Sequence, residues 1–459
     1  MHRWDLVPGS AKHLDLEIFS PIMRLVMCPP LLSMCFARSA CLTISVLLVF
    51  SPRLLNAQHE GVIGFDEILD AEPTGEHPEP GLTKKISASR APETLYDIYL
   101  PPAYFADKSR KFPLLLVHNP SGRPKVSQYT EWADTKEVIV VGLRKVANGM
   151  LLHHKPKHWS ALIKDLEDRG IRYQKGMILT VGMSGGSADG ERFTRKFPDY
   201  TAGVTVMGVT GVPRGEKRKH IAAGIIIGGK DPFQGPEARA KMWNKLSESN
   251  ITHRVIYDIG RRHKTAPLSE TLTLLDWMLD LGLLRSPQLE EQDKAAYKGM
   301  LAQQMKQLAA TSPGPERKRL IEHYLTLPPL LDLPETSVLR EKWAEDLSQE
   351  AKGHSTPEEG LVYVLDEMKD SPIRDQLSEE HSSRIIELNA RDLNVPSPDE
   401  LKVSWAQLEE IEEAEWAAHL DKERLSAVDT KYAEFISGSP FEVLRERARR
   451  ARERIGKFM

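Results

Sequence analysis

Apolar positions along this chain follow two rhythms. Between residues 94 and 284 they gather into short, mostly apolar runs, at 138–141, 177–181, 204–207 and 223–227, and into Val255-Ile256-Tyr257 at the end of 253–257. Short runs of this kind bounded by turn residues predict buried strands. Amphipathic stretches at 159–169, 187–197 and 268–281 lie between and after them, and their spacing predicts helices. Strands alternating with helices predict an α/β fold, a mostly parallel sheet with helices on both faces. Past residue 284 Glu, Lys, Arg, Gln, Leu and Ala dominate and the strand runs fade. There the spacing predicts helices at 288–310, 315–325, 335–349, 357–369 and 399–420. In the last, Leu401, Trp405, Leu408, Ile411 and Leu420 recur near helical spacing, with Glu409, Glu410, Glu412 and Glu413 between them.

These rhythms divide the chain into an N-terminal extension (1–57), a linker (58–93), an α/β unit (94–284) and a C-terminal all-helical unit (285–459). The linker is rich in Glu, Pro and Gly and has little apolar periodicity. The helical unit shows no fixed-period repeat. Its apolar stripe is expected to pack on neighbouring helices, with a groove for a protein partner as the alternative. The run 441–459 carries six arginines among glutamates spaced for i,i+4 pairs, which reads as a solvated helix; an anionic surface is the alternative partner.

The mostly apolar run 40–50, with Arg24 and Arg38 upstream and Ala57 ahead of Gln58, has the form of a signal for export to a periplasm or the exterior, with an uncleaved anchor as the alternative. It is shorter than the roughly twenty apolar residues of a membrane span. Met23, Met27 and Met34 are alternative starts. The chain has 3 cysteines, all in this region, so cleavage would leave a mature exported protein without thiols or disulfides. A formal net charge of −3 over 459 residues gives no reason to invoke nucleic acid as a partner. No phosphate-cradling glycine motif follows a predicted strand, so nothing calls for a nucleotide cofactor. His153, His154 and His158 lack the spacing and the acidic or thiol neighbours of a metal site.

The chemistry is concentrated at three strand ends. Gly182-Met183-Ser184-Gly185-Gly186 places a serine in G-x-S-x-G between the strand 177–181 and the helix 187–197. A sharp turn there would lift the hydroxyl of Ser184 clear of the sheet. Asp231 follows the run 223–227, and His263 follows the run 253–257. Open α/β sheets place their chemistry at such carboxyl ends of strands. The order Ser184, Asp231, His263 is that of α/β-hydrolases, not that of the other serine hydrolase folds. Asp258 is a rival for the acid. The bland readings are a close-packing serine at 184, a turn aspartate at 231 and a solvated histidine at 263.

The segments Tyr96-Asp97-Ile98-Tyr99-Leu100-Pro101-Pro102-Ala103-Tyr104 and Lys111-Phe112-Pro113-Leu114-Leu115-Leu116-Val117-His118 lead up to these residues. Over roughly 94–284 the chain resembles secreted α/β-hydrolase esterases of the feruloyl-esterase and polyhydroxyalkanoate-depolymerase-like branches. The resemblance implies Ser184 as nucleophile, His263 as general base and Asp231 as the acid that orients it. An oxyanion hole from the N–H groups of Gly185 and Asn119 would complete the site. One departure stands out: the family reads His-Gly where this chain reads His118-Asn119-Pro120, and proline has no N–H to offer. His118 itself is expected to be structural. The expected activity is cleavage of a small or polymeric carboxylic ester through an acyl-enzyme. The alternatives are a peptidase resembling the catalytic domain of prolyl oligopeptidases, or a non-catalytic binding module on the same fold. Loop 144–158 or, alternatively, loop 209–220 is expected to form a lid over the site.

Overall fold

A computed structural model of the chain describes residues 76–456, apart from 214–217, 259–260 and 419–420. The export-signal reading, the first half of the expected linker, Leu420 and part of the 209–220 loop lie outside the described residues. The strands and helices run in the order β1 (Gly81–Ala88), β2 (Ala91–Leu100), α1 (Pro102–Ala106), β3 (Phe112–Val117), α2 (Thr130–Lys136), β4 (Ile139–Arg144) and α3 (Lys155–Asp168). They continue with β5 (Tyr173–Val181), α4 (Gly185–Lys196), β6 (Thr201–Met207), β7 (Ala222–Gly228), α5 (Pro236–Ser249), β8 (His253–Asp258) and α6 (Leu268–Arg285).

Among the described residues the strands form one eight-stranded sheet in the order β1-β2-β4-β3-β5-β6-β7-β8. β1 pairs antiparallel with β2, and β2 antiparallel with β4; every other pairing is parallel. This is the α/β-hydrolase fold, with a helical extension. β3, β6 and β7 are buried along their whole length, as strands covered by helices on both faces must be. Alternation sorts their side chains. Leu114, Leu116, Ile139, Val141 and Ile178 join the core with Trp159 of α3 and Phe193 of α4. Leu115, Val117, Val140, Leu179 and Val181 join the opposite core, with Trp277 and Met278 of α6.

α6 lies close on the sheet because β6 and β7 carry glycines beneath it. A Cβ on Gly203 would come within 2.8 Å of the Met278 sulfur, and one on Gly224 within 3.0 Å of Leu274 Cβ. The chain continues in α7 (Glu291–Ala309), which packs on the other side of α6, and in α8 (Pro315–Leu325), α9 (Pro334–Ala351), α10 (Pro357–Asp370), α11 (Glu379–Asp392), α12 (Pro398–Ala418), α13 (Lys422–Gly438) and α14 (Glu442–Gly456), which pack largely on one another. Trp277 Nε1 donates to Thr326 O at 3.0 Å, and Asp280 accepts from Tyr297 and from His323 at 2.8 and 2.7 Å. Burial works against the charge on Asp280, but those bonds outweigh it and hold its carboxyl below the usual range. The apolar core on this face runs without a break from Leu115 in the sheet to Ile455 in α14.

Two differences from the sequence reading have physical causes. β1 falls within the stretch expected as linker, where Lys84-Lys85 interrupts the apolar alternation and Lys85 takes φ +60°. α5, α11 and α13 lie outside the predicted helices; each is polar overall, and α11 turns only a narrow apolar face with Ile385 and Ala390 inward. Among the described residues no helix is long and apolar enough to cross a membrane. None of their His, Cys, Asp and Glu side chains groups in threes able to hold a metal.

Candidate active site

The chain leaves β3 for β4 on one side and returns to β5 on the other, so the order of connections reverses between β3 and β5. Such a reversal opens a crevice at the carboxyl ends of the two strands. Val117 and Val181 sit side by side there, and His118 N donates to Val181 O at 2.8 Å. The loop of Asn119 and the turn of Ser184 therefore emerge as neighbours.

Ser184 adopts φ +54° and ψ −123°, a conformation that non-glycine residues rarely take. Such a residue stores about 1–3 kcal/mol of strain and persists only where its surroundings fix it. Here Ser184 N donates to Met207 O at 2.8 Å, and the buried Ser187 hydroxyl bridges Thr205 O and Met207 N. Both outer glycines of the motif are needed by close approach. A Cβ on Gly182 would lie 2.5 Å from Gly186 C, and one on Gly186 would lie 2.9 Å from His118 O.

The three residues singled out by their order come together. His263 Nε2 lies 2.9 Å from Ser184 Oγ, and His263 Nδ1 lies 2.9 and 3.0 Å from the two Asp231 oxygens. Asp231 is 2% exposed. The rival Asp258 instead accepts from Arg261 at 2.9 Å, and Glu270 takes the same guanidinium at 2.6 Å. This clamp, with Lys230 N donating to Arg261 O at 2.9 Å, ties the histidine loop to the acid loop. Gly208, at φ +68°, leaves room for the imidazole; a Cβ there would lie 3.0 Å from His263 Cε1.

The departure at Asn119-Pro120 is absorbed by a turn. Pro120 occupies its second position, where fixed φ is an advantage, and Gly122 N closes it on Asn119 O at 2.9 Å. The Asn119 side chain accepts from Ser121 N and Oγ at 2.9 and 2.6 Å. Among the described residues neither Asn119 N–H nor Gly185 N–H donates to a protein acceptor, and both flank the serine turn.

Behind the site lies a charged core. Lys155 and Asp189, each 1% exposed, pair at 2.7 Å, and Arg192 adds a bond to Asp189 at 3.0 Å. His118 is buried beside them with its Nε2 unpaired among the described residues. Burial pushes its pKa down to about 4, Asp189 opposing and Lys155 adding to the shift.

Two site residues carry no signal of their own in the sequence. Gln234 is 1% exposed; its Oε1 accepts from Gly228 N at 2.9 Å, and its Nε2 donates to Val209 O and Ile226 O at 3.1 Å, which fixes the acid loop. Phe233 donates its N–H to Asp231 Oδ1 at 2.9 Å and sets its ring 4.6 Å from the His263 ring, 61% exposed. The string Asp231-Pro232-Phe233-Gln234 marks a turn, but what Gln234 holds depends on where β6 and β7 end. His153 and His154 meet edge to face with ring centres 4.2 Å apart, and His158 Nδ1 meets Thr94 Oγ1 at 2.7 Å.

Neither a scan against protein-family models nor a search of curated proteins finds a match to this chain. Solved structures similar to it include a ferulic acid esterase (13% identity, TM-score 0.32, covering 42% of this chain and 92% of that one). S-formylglutathione hydrolase from Staphylococcus aureus is similar at 14% identity and TM-score 0.31, over 40% of this chain and 92% of that one. Dipeptidyl peptidase 4 from Porphyromonas gingivalis is similar at 13% and 0.34, over 45% of this chain and 35% of that one. The fold assignment rests on strand order, and the chemistry rests on the residues described above.

Proposed function

We propose that this chain is a serine hydrolase that cleaves carboxylic esters, with Ser184, His263 and Asp231 as its catalytic triad. The observation that carries the reading is the continuous hydrogen-bond relay from Ser184 Oγ through His263 to the buried Asp231. Asp231 holds the proton on Nδ1, which leaves Nε2 free to accept the serine proton. Ser184 Oγ then bonds the acyl carbon, and the carbonyl oxygen takes up negative charge facing the N–H groups of Gly185 and Asn119. His263 gives its proton to the departing alcohol; water, activated by the same imidazole, releases the acid.

Covalent labelling tests the reading. A fluorophosphonate should modify Ser184 in the parent chain, and neither Ser184→Ala nor denatured parent should react. No labelling of folded parent would show that the hydroxyl is not activated and would leave a binding module on this fold. Export of the mature chain, read from residues 40–57, belongs to the same proposal; fractionation of expressing cells checks it.

A further inference from the structure

Gly185 is hemmed in on its side-chain face. A Cβ there would lie 1.7 Å from Asn148 Oδ1, 2.6 Å from its Cγ and 2.9 Å from its Nδ2. The carboxamide of Asn148 thus fills the place where any other residue following Ser184 would put its own side chain. Asn148 is exposed, and its side chain has no protein hydrogen-bond partner among the described residues. Its backbone is fixed. Asn148 N donates to Pro120 O at 3.0 Å, Lys145 N donates to Gly122 O at 2.8 Å, and Ser121 bridges Ala147. The loop after β4 is thereby stapled along the loop after β3, beside the Asn119 N–H.

We propose that Asn148 is a catalytic residue that donates a third hydrogen bond to the oxyanion. The proposal rests on the ester-hydrolase reading above. A loop with N–H groups at both 119 and 120 would offer two donors; Pro120 leaves one, and the Asn148 amide restores the count. A half-turn about its Cβ–Cγ bond exchanges Oδ1 and Nδ2, and no protein bond opposes that turn. When Ser184 Oγ bonds the acyl carbon, the C=O π pair moves onto oxygen, and Nδ2–H donates to it with the N–H groups of Gly185 and Asn119. Collapse returns that pair to C=O and expels the alcohol oxygen, which takes the proton from His263 Nε2.

The test compares hydrolysis of p-nitrophenyl butyrate by the parent, Asn148→Ala, Asn148→Asp and Gly185→Ala, and by Gly185→Ala with Asn148→Ala. Loss of one such donor lowers kcat by about 10²–10³-fold. That drop is expected in Asn148→Ala with KM within about threefold of the parent, the shape of the pH profile unchanged, and melting unchanged. Asn148→Asp keeps the shape but brings an anion to the oxyanion and should be at least as impaired. Gly185→Ala should expel the amide and lose a similar factor, and the double variant should be no worse than Asn148→Ala alone. Parent-like kcat in Asn148→Ala, a rise confined to KM, or multiplicative losses in the double variant would overturn the role of Asn148 and leave the ester-hydrolase reading standing. A parent without Ser184-dependent turnover would sink both.

Discussion

The end of the sheet around Ser184 and the helices after residue 290 hold their residues in place by different means. At the serine turn, placement comes mainly from backbone. Glycines at 182 and 186 let backbone segments approach closer than any side chain would permit, Ser184 sits at positive φ, and its main-chain bond to Met207 holds the turn. Among the later helices, placement comes from side chains. Arg447 on α14 reaches Asp366 on α10 and Glu409 and Glu412 on α12 at 2.8, 2.5 and 2.5 Å. Burial opposes its charge, and Glu412 and Asp366 outweigh that, so its pKa is raised. Arg317 pairs with Asp346 at 2.8 Å, and Lys318 with Glu350 and Glu367 at 2.5 and 2.7 Å. Reactive groups need placement to a fraction of an ångström, which close-packed backbone supplies. Helices that only need to dock are specified well enough by apolar stripes and charge pairs.

The largest effect expected from that contrast is Asp231→Asn. It should lower turnover about 10⁴-fold and leave melting nearly unchanged, because only the tautomer of His263 is lost. A comparable fall in stability would mean that the relay also supports the fold. Next comes Trp343→Ala, which empties a fully buried site in α9 and should cost about 3–5 kcal/mol in urea unfolding. Turnover per folded molecule should hold, and its loss would show that the helices shape the active site. Arg447→Met leaves three carboxylates facing one another and should cost about 3 kcal/mol, again without touching turnover.

An effect of comparable size that depends on pH sharpens the view of the sheet end. His118 is held neutral by burial, with its pKa pushed from the ordinary 6.5 to about 4. The unfolded chain takes up that proton first, so the contribution is fully present above pH 6.5 and lost as pH falls toward 4. The loss amounts to about 3 kcal/mol. Unfolding midpoints of His118→Gln between pH 4 and 7 should lack this component; an unchanged slope would place the dependence elsewhere. The smallest effect is Glu446→Ala, on an exposed i,i+4 pair with Arg450 at 3.0 Å, where no shift in melting is expected.

Much of this was legible in the residues. Five apolar runs became β4 to β8, and Pro315, Pro334 and Pro357 stand at the starts of α8, α9 and α10, where a missing N–H costs nothing. Ser184, Asp231 and His263 were legible because each follows a strand, and strand ends are where this sheet gathers side chains. Gln234 and Asn148 were not. Each is placed against a residue far off in the sequence, the one against Val209, the other against Gly185. No local pattern encodes such contacts. β1 was hidden for another reason: a strand at the sheet edge, with few apolar residues to bury, leaves little alternation to read.

The most direct test of the central claim is hydrolysis of p-nitrophenyl acetate and butyrate by the parent chain beside Ser184→Ala. Turnover by the parent, falling by about 10⁶-fold in a folded Ser184→Ala, is the predicted result. Equal background rates from the two proteins would contradict it.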